Sequence, residues 1–150
     1  MRPKDPDGLS GRTSRLGSMG PRMLRMAGEL ADGWSASIPY YLPYGEVASA
    51  QGLVDEGARA AGRDPRSVLR ICDIPGTITD REDGRDLLRG SEPLRGMAER
   101  GIDVLSEWAV RLTFDVFILW PEVEMPEQVE RFAREVAPGV RAAVANAASA

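Results

Sequence analysis

Histidine is absent from this 150-residue chain, and cysteine occurs once, at Cys72. The missing histidine removes the commonest general base near neutral pH and the commonest zinc ligand. It also excludes Ser-His-Asp and Cys-His triads. A lone thiol forms neither an intrachain disulfide nor a thiolate metal cage, so no metal site is expected. Proton transfer would have to come from Asp, Glu, Tyr, Lys or a cofactor. Long apolar runs are missing too: none approaches the roughly 18 residues that a membrane span needs. The opening residues Met1 to Gly8 have no apolar core and do not read as a signal peptide. A cytoplasmic protein without a membrane partner is therefore expected. Positive charge is not in excess: the formal net charge is -4 and the pI about 5.0, which gives no electrostatic case for a nucleic-acid partner.

What is present suits an ordinary soluble domain, 43% hydrophobic and 28% charged, long enough to bury one core. Residues 1–13 are rich in Gly, Pro, Ser and charge and read as a disordered leader. Ser14 to Ser18 is a short strand running into the turn Gly17-Ser18-Met19-Gly20. Pro21 suits the first position of a helix, and Met23, Leu24, Met26, Ala27 and Leu30 repeat at helical spacing. Asp32-Gly33 stops that helix, and Trp34 to Ile38 is a second strand. A tyrosine-rich loop through Tyr40, Tyr41 and Tyr44 leads to a helix from about Gly45. Gly62 and Pro65 end that helix.

Val68 to Thr79 reads as a strand interrupted at Pro75-Gly76, followed by a charged loop over Asp80 to Arg89. Ser91-Glu92-Pro93 can cap a third helix whose buried stripe begins at Leu94 and Met97. Phe114 to Trp120 is almost wholly apolar, as expected of a parallel strand covered on both faces. Pro126 opens a last helix that Pro138-Gly139 should kink or break, leaving 142–150 as a flexible Ala-rich tail. The order β-α-β-α-β-α-β-α predicts an α/β fold with a parallel sheet, either half of a (β/α) barrel or a small open sandwich.

The turn after the first strand can cradle a phosphate. Glycine lets an anion approach the backbone, the Ser18 hydroxyl adds a donor, and the helix after the turn presents its positive end. A plain βα turn is the competing reading. Arg22 in the first helical turn opposes the dipole, which an anion nearby would relieve; a solvated arginine is the alternative. Trp34, Tyr40 and Tyr41 could line a substrate channel, or serve as core, rim or interface aromatics. Asp32 reads as a turn former. Cys72 reads as an inert buried thiol, and Asp73 beside it needs a partner if buried. Asp115 and Trp120 read as structural.

Four segments, in order, resemble the luciferase-like monooxygenases, which are flavin- or deazaflavin-dependent oxidoreductases on a TIM barrel. They are Gly17 to Trp34, with its Ala31-Asp32-Gly33-Trp34 ending; Asp55 to Pro65, ending Ala61-Gly62-Arg63-Asp64-Pro65; Phe114 to Pro121; and Pro126 to Pro138. The last is most similar to the coenzyme F-420 branch. The resemblance covers residues 14–141 and implies roughly the last four βα units of the barrel. It further implies a phosphate of coenzyme F-420, or of FMN as second choice, seated at Gly17, Ser18, Met19, Gly20 and Arg22. The partners implied are a small-molecule substrate and either a second copy or a missing N-terminal half. No acid or base for hydride transfer is evident in the chain, and the catalytic residues are left unassigned. A half-barrel that acts as a dimerisation or interaction module, without catalysis, is the alternative.

Overall fold

The computed structural model describes residues 14–38, 40–81, 93–123 and 125–149. The principal elements are β1 (Arg15–Gly17), α1 (Pro21–Leu30), β2 (Gly33–Ala36), α2 (Val47–Ala60), β3 (Leu69–Ile78), β4 (Leu94–Gly96), α3 (Ala98–Arg111), β5 (Val116–Pro121), α4 (Pro126–Arg131) and α5 (Ala137–Ala148). A π-helical turn, Phe132–Val136, joins α4 to α5. Every strand pairing is parallel. β1, β2 and β3 lie side by side. Ile71 and Cys72 pair with both β2 and β5, which places β5 on the opposite edge of β3 from β2. The short β4 pairs Gly76 to Ile78 further along the β2 edge. Four principal strands, each leading to a helix, form part of a (β/α) barrel.

Residues paired across a parallel ladder point to the same face. Trp34, Ala36, Cys72 and Ile74 point to the helices, where Leu24, Val54, Leu105 and Trp108 complete the core. Full burial of such side chains contributes about 1.5–3 kcal/mol each. The other face carries Ser35, Ile71 and Val116 in one row and Asp73 with Ile118 in the next. In a closed barrel this would be the interior. Here Val116, Ile118 and Trp120 are 37, 43 and 57% exposed on it.

Two glycines set the helix layer. A Cβ at Gly28 would lie 1.9 Å from the Val54 carbonyl oxygen, and one at Gly57 would lie 1.9 Å from that of Arg25. α1 and α2 therefore touch backbone to backbone. Arg63, just past α2, then reaches the end of α1. Its guanidinium donates to the carbonyls of Gly28, Glu29 and Ala31 at 2.7, 3.0 and 2.8 Å. Gly62 before it has φ +70, the left-handed turn expected of a glycine ending a helix.

Four expectations change. Leu94 and Met97 do not begin α3: Leu94 lies in β4 and pairs with Gly76 of β3, and that strand ends at Gly96, with φ +145, before Met97 caps the helix. β3 runs unbroken through Pro75. Arg70 and Gly76 give their carbonyls to the β5 side, whereas Leu69 bonds on the β2 side. Backbone groups alternate between edges, so Pro75 faces the gap between β2 and β4 and forfeits no ladder bond. β5 is covered on one face only. Lastly, the tail expected over 142–150 is helical to Ala148. The π turn admits Pro138, and the bare Gly139 lets Ile102 of α3 approach to 2.4 Å of where a Cβ would sit. The leader 1–13, residues 82–89 of the charged loop, and the Ser91-Glu92 cap lie outside the described residues.

Candidate functional site

β1 ends at Gly17 and α1 begins at Pro21, so Ser18, Met19 and Gly20 form the whole connection. Pro21 at the first helical position has no N–H to satisfy. No side chain caps α1, and its first turn holds no acidic residue. The positive end of a ten-residue helix is thus left for an outside acceptor. The loop itself is held from below: the Trp34 indole, fully buried, donates through Nε1 to the Ser18 carbonyl at 3.1 Å.

Above this loop is a hollow of about 440 Å³, lined by Gly17 to Gly20, Met23, Ser35, Ser37 and Asp73. Three observations make it a candidate seat for an anion. Ser18 is only 9% exposed, yet its hydroxyl has no hydrogen-bond partner. Buried hydroxyls are rarely left so. Gly17 and Gly20 do not need to be glycine for the fold, since a Cβ at either would meet no atom within 4 Å and neither has a positive φ. Their bareness keeps the space open. The helix end faces the same place.

The floor is made by β2 and β3. Gly17 pairs with Ser35, and the Ser35 hydroxyl donates to Asp73 Oδ2 at 3.1 Å. Asp73 is half-buried and points into the hollow. Sequence reasoning flagged its cost but did not place it at the site; its position two residues beyond Ile71, on the face opposite Cys72, was the available signal.

The other candidates fall elsewhere. Arg22 is exposed and does not line the hollow. Trp34 is a core residue beneath the loop, because its strand position faces the helices, so it does not open to a substrate channel. Tyr40 and Tyr41 are 75 and 59% exposed, edge to face at 5.0 Å, away from the hollow. Tyr44 packs on Trp108 in the core, and burial raises its phenol above the ordinary range. Asp32 caps the start of β1, accepting from Ser14 N–H at 2.9 Å. The Cys72 thiol is pushed up to about 12 by burial first and the Asp73 charge second. Asp115 accepts from Arg70 N–H at 2.7 Å, a structural role.

At the C-terminal ends of β3, β4 and β5, Glu122 receives Arg95 through two nitrogens at 2.6 and 2.5 Å and Thr77 Oγ1 at 3.1 Å. The Arg95 bonds hold the Glu122 carboxyl below the usual carboxylate range, against a smaller opposing effect of burial. A larger groove, about 730 Å³, lies across the sheet between β5, α3 and α5. Leu105, Phe114, Phe117 and Val140 make it apolar, and it converges few polar groups on one point, so it is not the candidate site. Among the described residues no helix is long and apolar enough to cross a membrane.

No protein-family model matches the chain, and no curated protein matches it by sequence. Solved structures do match. A riboflavin lyase, crystallised with modified FMN and riboflavin, superposes with a TM-score of 0.70 at 14% identity over 85% of this chain and 42% of its own. The coenzyme F-420-dependent tetrahydromethanopterin reductase of Methanopyrus kandleri gives 0.67 at 16%, over 84% and 50%. A long-chain alkane monooxygenase gives 0.64 at 12%, over 85% and 40%. The chain thus spans half or less of the length of these enzymes. The likeness shows the fold, part of a parallel (β/α) barrel.

Proposed function

We propose that this chain is part of a luciferase-like oxidoreductase and holds the phosphate of a flavin-type cofactor at Gly17, Ser18, Met19 and Gly20. The observation that carries the reading is the uncapped N-terminus of α1 beside two glycines whose missing side chains keep a hollow open. The riboflavin lyase crystallised with modified FMN and the coenzyme F-420-dependent reductase, both similar in fold, support the same class. When bound, such a cofactor supplies hydride transfer. This chain's own residues would anchor its tail: backbone N–H groups of the loop would donate to the phosphate, and Trp34 fixes the loop that carries them. Coenzyme F-420 stands ahead of FMN only on the likeness of the Pro126 to Pro138 segment. Arg22, exposed in the first turn of α1, would add long-range attraction.

The test is titration of the purified chain with inorganic phosphate, FMN and coenzyme F-420, followed by amide chemical shifts and by cofactor fluorescence. Phosphate should move the Gly17 to Met23 amides specifically, and Gly17→Val should abolish the response without unfolding the chain. Shifts no larger than those from sodium chloride at equal ionic strength would overturn the reading.

The exposed row Val116, Ile118 and Trp120 on β5 favours a second reading, in which the sheet is completed by further strands and the chain serves as an interaction module. Sedimentation of the chain alone separates the two: a module of this kind self-associates or captures a partner whether or not phosphate binds.

A further inference from the structure

The two side edges of the sheet are open, and they differ in a matching way. Among the described residues β1 pairs only with β2, and β5 only with β3. The three residues of β1 and the six of β5 therefore each keep a free row of backbone N–H and C=O groups. On the face that a closed barrel would enclose, the β1 side is bare, with Gly17, Gly33 and Ser35. The β5 side is bulky, with Val116, Ile118 and Trp120, all exposed.

The helix layer has the same asymmetry. α1 meets α2 through the bare backbone of Gly28. At about 100° per residue, Met26 and Leu30 lie on the opposite flank of α1, where Leu30 is 64% exposed. At the other side of the sheet is the apolar groove between β5, α3 and α5, which Phe114, Phe117, Val144 and Ala145 help to line. α1 returns the chain to the start of β2, so Leu30 stands level with the strand starts. The groove opens beside the start of β5, at the same level. One side of the molecule thus carries an apolar knob and the other an apolar recess.

Four principal strands are half of the eight that close a parallel (β/α) barrel. A second copy turned by a half-circle about the barrel axis keeps every strand parallel and sets β5 of each copy beside β1 of the other. The two junctions are then identical. Each places large side chains beside small ones, and an α1 flank against a groove. A head-to-tail contact that closes after two copies leaves no free edge, whereas two copies joined through Trp120 alone would leave every edge open. We propose that this chain pairs with a second copy of itself to complete an eight-stranded barrel, with Met26 and Leu30 of each copy seated in the groove of the other. This rests on the interaction-module reading above and names the partner.

Sedimentation equilibrium of the purified chain should give a species of twice the chain mass that does not grow further with concentration. Trp34 and Trp108 are fully buried, so iodide quenching reports Trp120, and that quenching should be lost as the dimer forms. Leu30→Lys and Ala145→Glu alter exposed side chains, so circular dichroism should stay unchanged. Each should weaken the dimer at least about tenfold, since an unpaired charge enters an apolar contact. An equimolar mixture of the two variants should recover a heterodimer, because one of its junctions is natural and the other brings the opposite charges together. Polymers that lengthen with concentration, or a dimer that the mixture does not restore, overturn the closed barrel but leave the module reading standing. A chain that stays monomeric at its highest soluble concentration overturns the inference, and the module reading would then need a partner of another sequence.

Discussion

The side-chain amide of Gln128 pairs with the backbone of Ile78 at the end of β3, accepting from its N–H at 2.8 Å and donating to its carbonyl at 3.1 Å. One buried side chain on α4 thus imitates a neighbouring strand where the sheet runs out. Gln128→Ala would leave the Ile78 N–H buried and unpaired, while the Ile78 carbonyl keeps Arg131 Nη1 at 3.3 Å. An unpaired buried N–H costs about 1–3 kcal/mol, so a loss in that range is expected. Urea denaturation followed by circular dichroism measures it. A loss below about 0.5 kcal/mol would mean that water replaces the amide.

Arg63 acts in the same manner on α1. Three carbonyls at the helix end share one guanidinium, a fork that an ammonium cannot copy. Arg63→Lys should therefore cost nearly as much as Arg63→Ala, about 1–3 kcal/mol. If lysine restored full stability, charge at the helix end rather than hydrogen-bond geometry would be the cause.

These two residues show where sequence reading succeeds and where it stops. The order of strands and helices was legible because apolar periodicity is a local property. So were the glycine turn and the left-handed Gly62. The loop Gly17 to Gly20 was found as a candidate site, since small residues between a strand and a helix have few structural purposes. Asp73 and Gln128 were not recognised. Their roles depend on which strand lies opposite and which face is turned inward, and both are set by pairing between residues 38 and 50 positions apart or by register. The open face of β5 was misread for a related reason: an apolar strand looks the same whether or not its second face has a neighbour.

Acid should weaken the rim of the sheet. Arg95 keeps the Glu122 carboxyl depressed in the folded chain. A depressed carboxylate adds stability that is complete above its unfolded pKa of roughly 4.3 and disappears as pH falls through the lower folded value. The stability of the natural chain should thus fall across that acid window more steeply than that of Glu122→Gln. Parallel curves for the two proteins would remove Glu122 from the account.

Cys72 should be silent in the folded chain. It is 3% exposed, and its thiol is pushed up to about 12, so little thiolate exists at pH 8. Iodoacetamide should modify it only after denaturation. Labelling of the native chain faster than global unfolding would reveal local opening of β3.

Glycines of the same chain should respond oppositely to one added methyl group. At Gly28 the new Cβ would fall 1.9 Å from the Val54 carbonyl oxygen, a backbone atom that cannot move without separating α1 from α2. Gly28→Ala should cost more than about 3 kcal/mol, the range of severe overpacking, and prevent folding if the chain is marginal. At Gly20 the Cβ would meet open space, and the backbone there is extended with a negative φ that alanine adopts freely. Gly20→Ala should change stability by less than about 1 kcal/mol, near the modest cost of losing glycine at a helix cap. Its effect should fall on the hollow instead: the methyl group narrows the approach to the α1 N-terminus, so phosphate should bind at least severalfold more weakly. Thermal unfolding and phosphate titration of the two variants test this directly. If Gly20→Ala binds phosphate as the natural chain does, the glycine is there for the turn, and the open space above it is not where the anion sits.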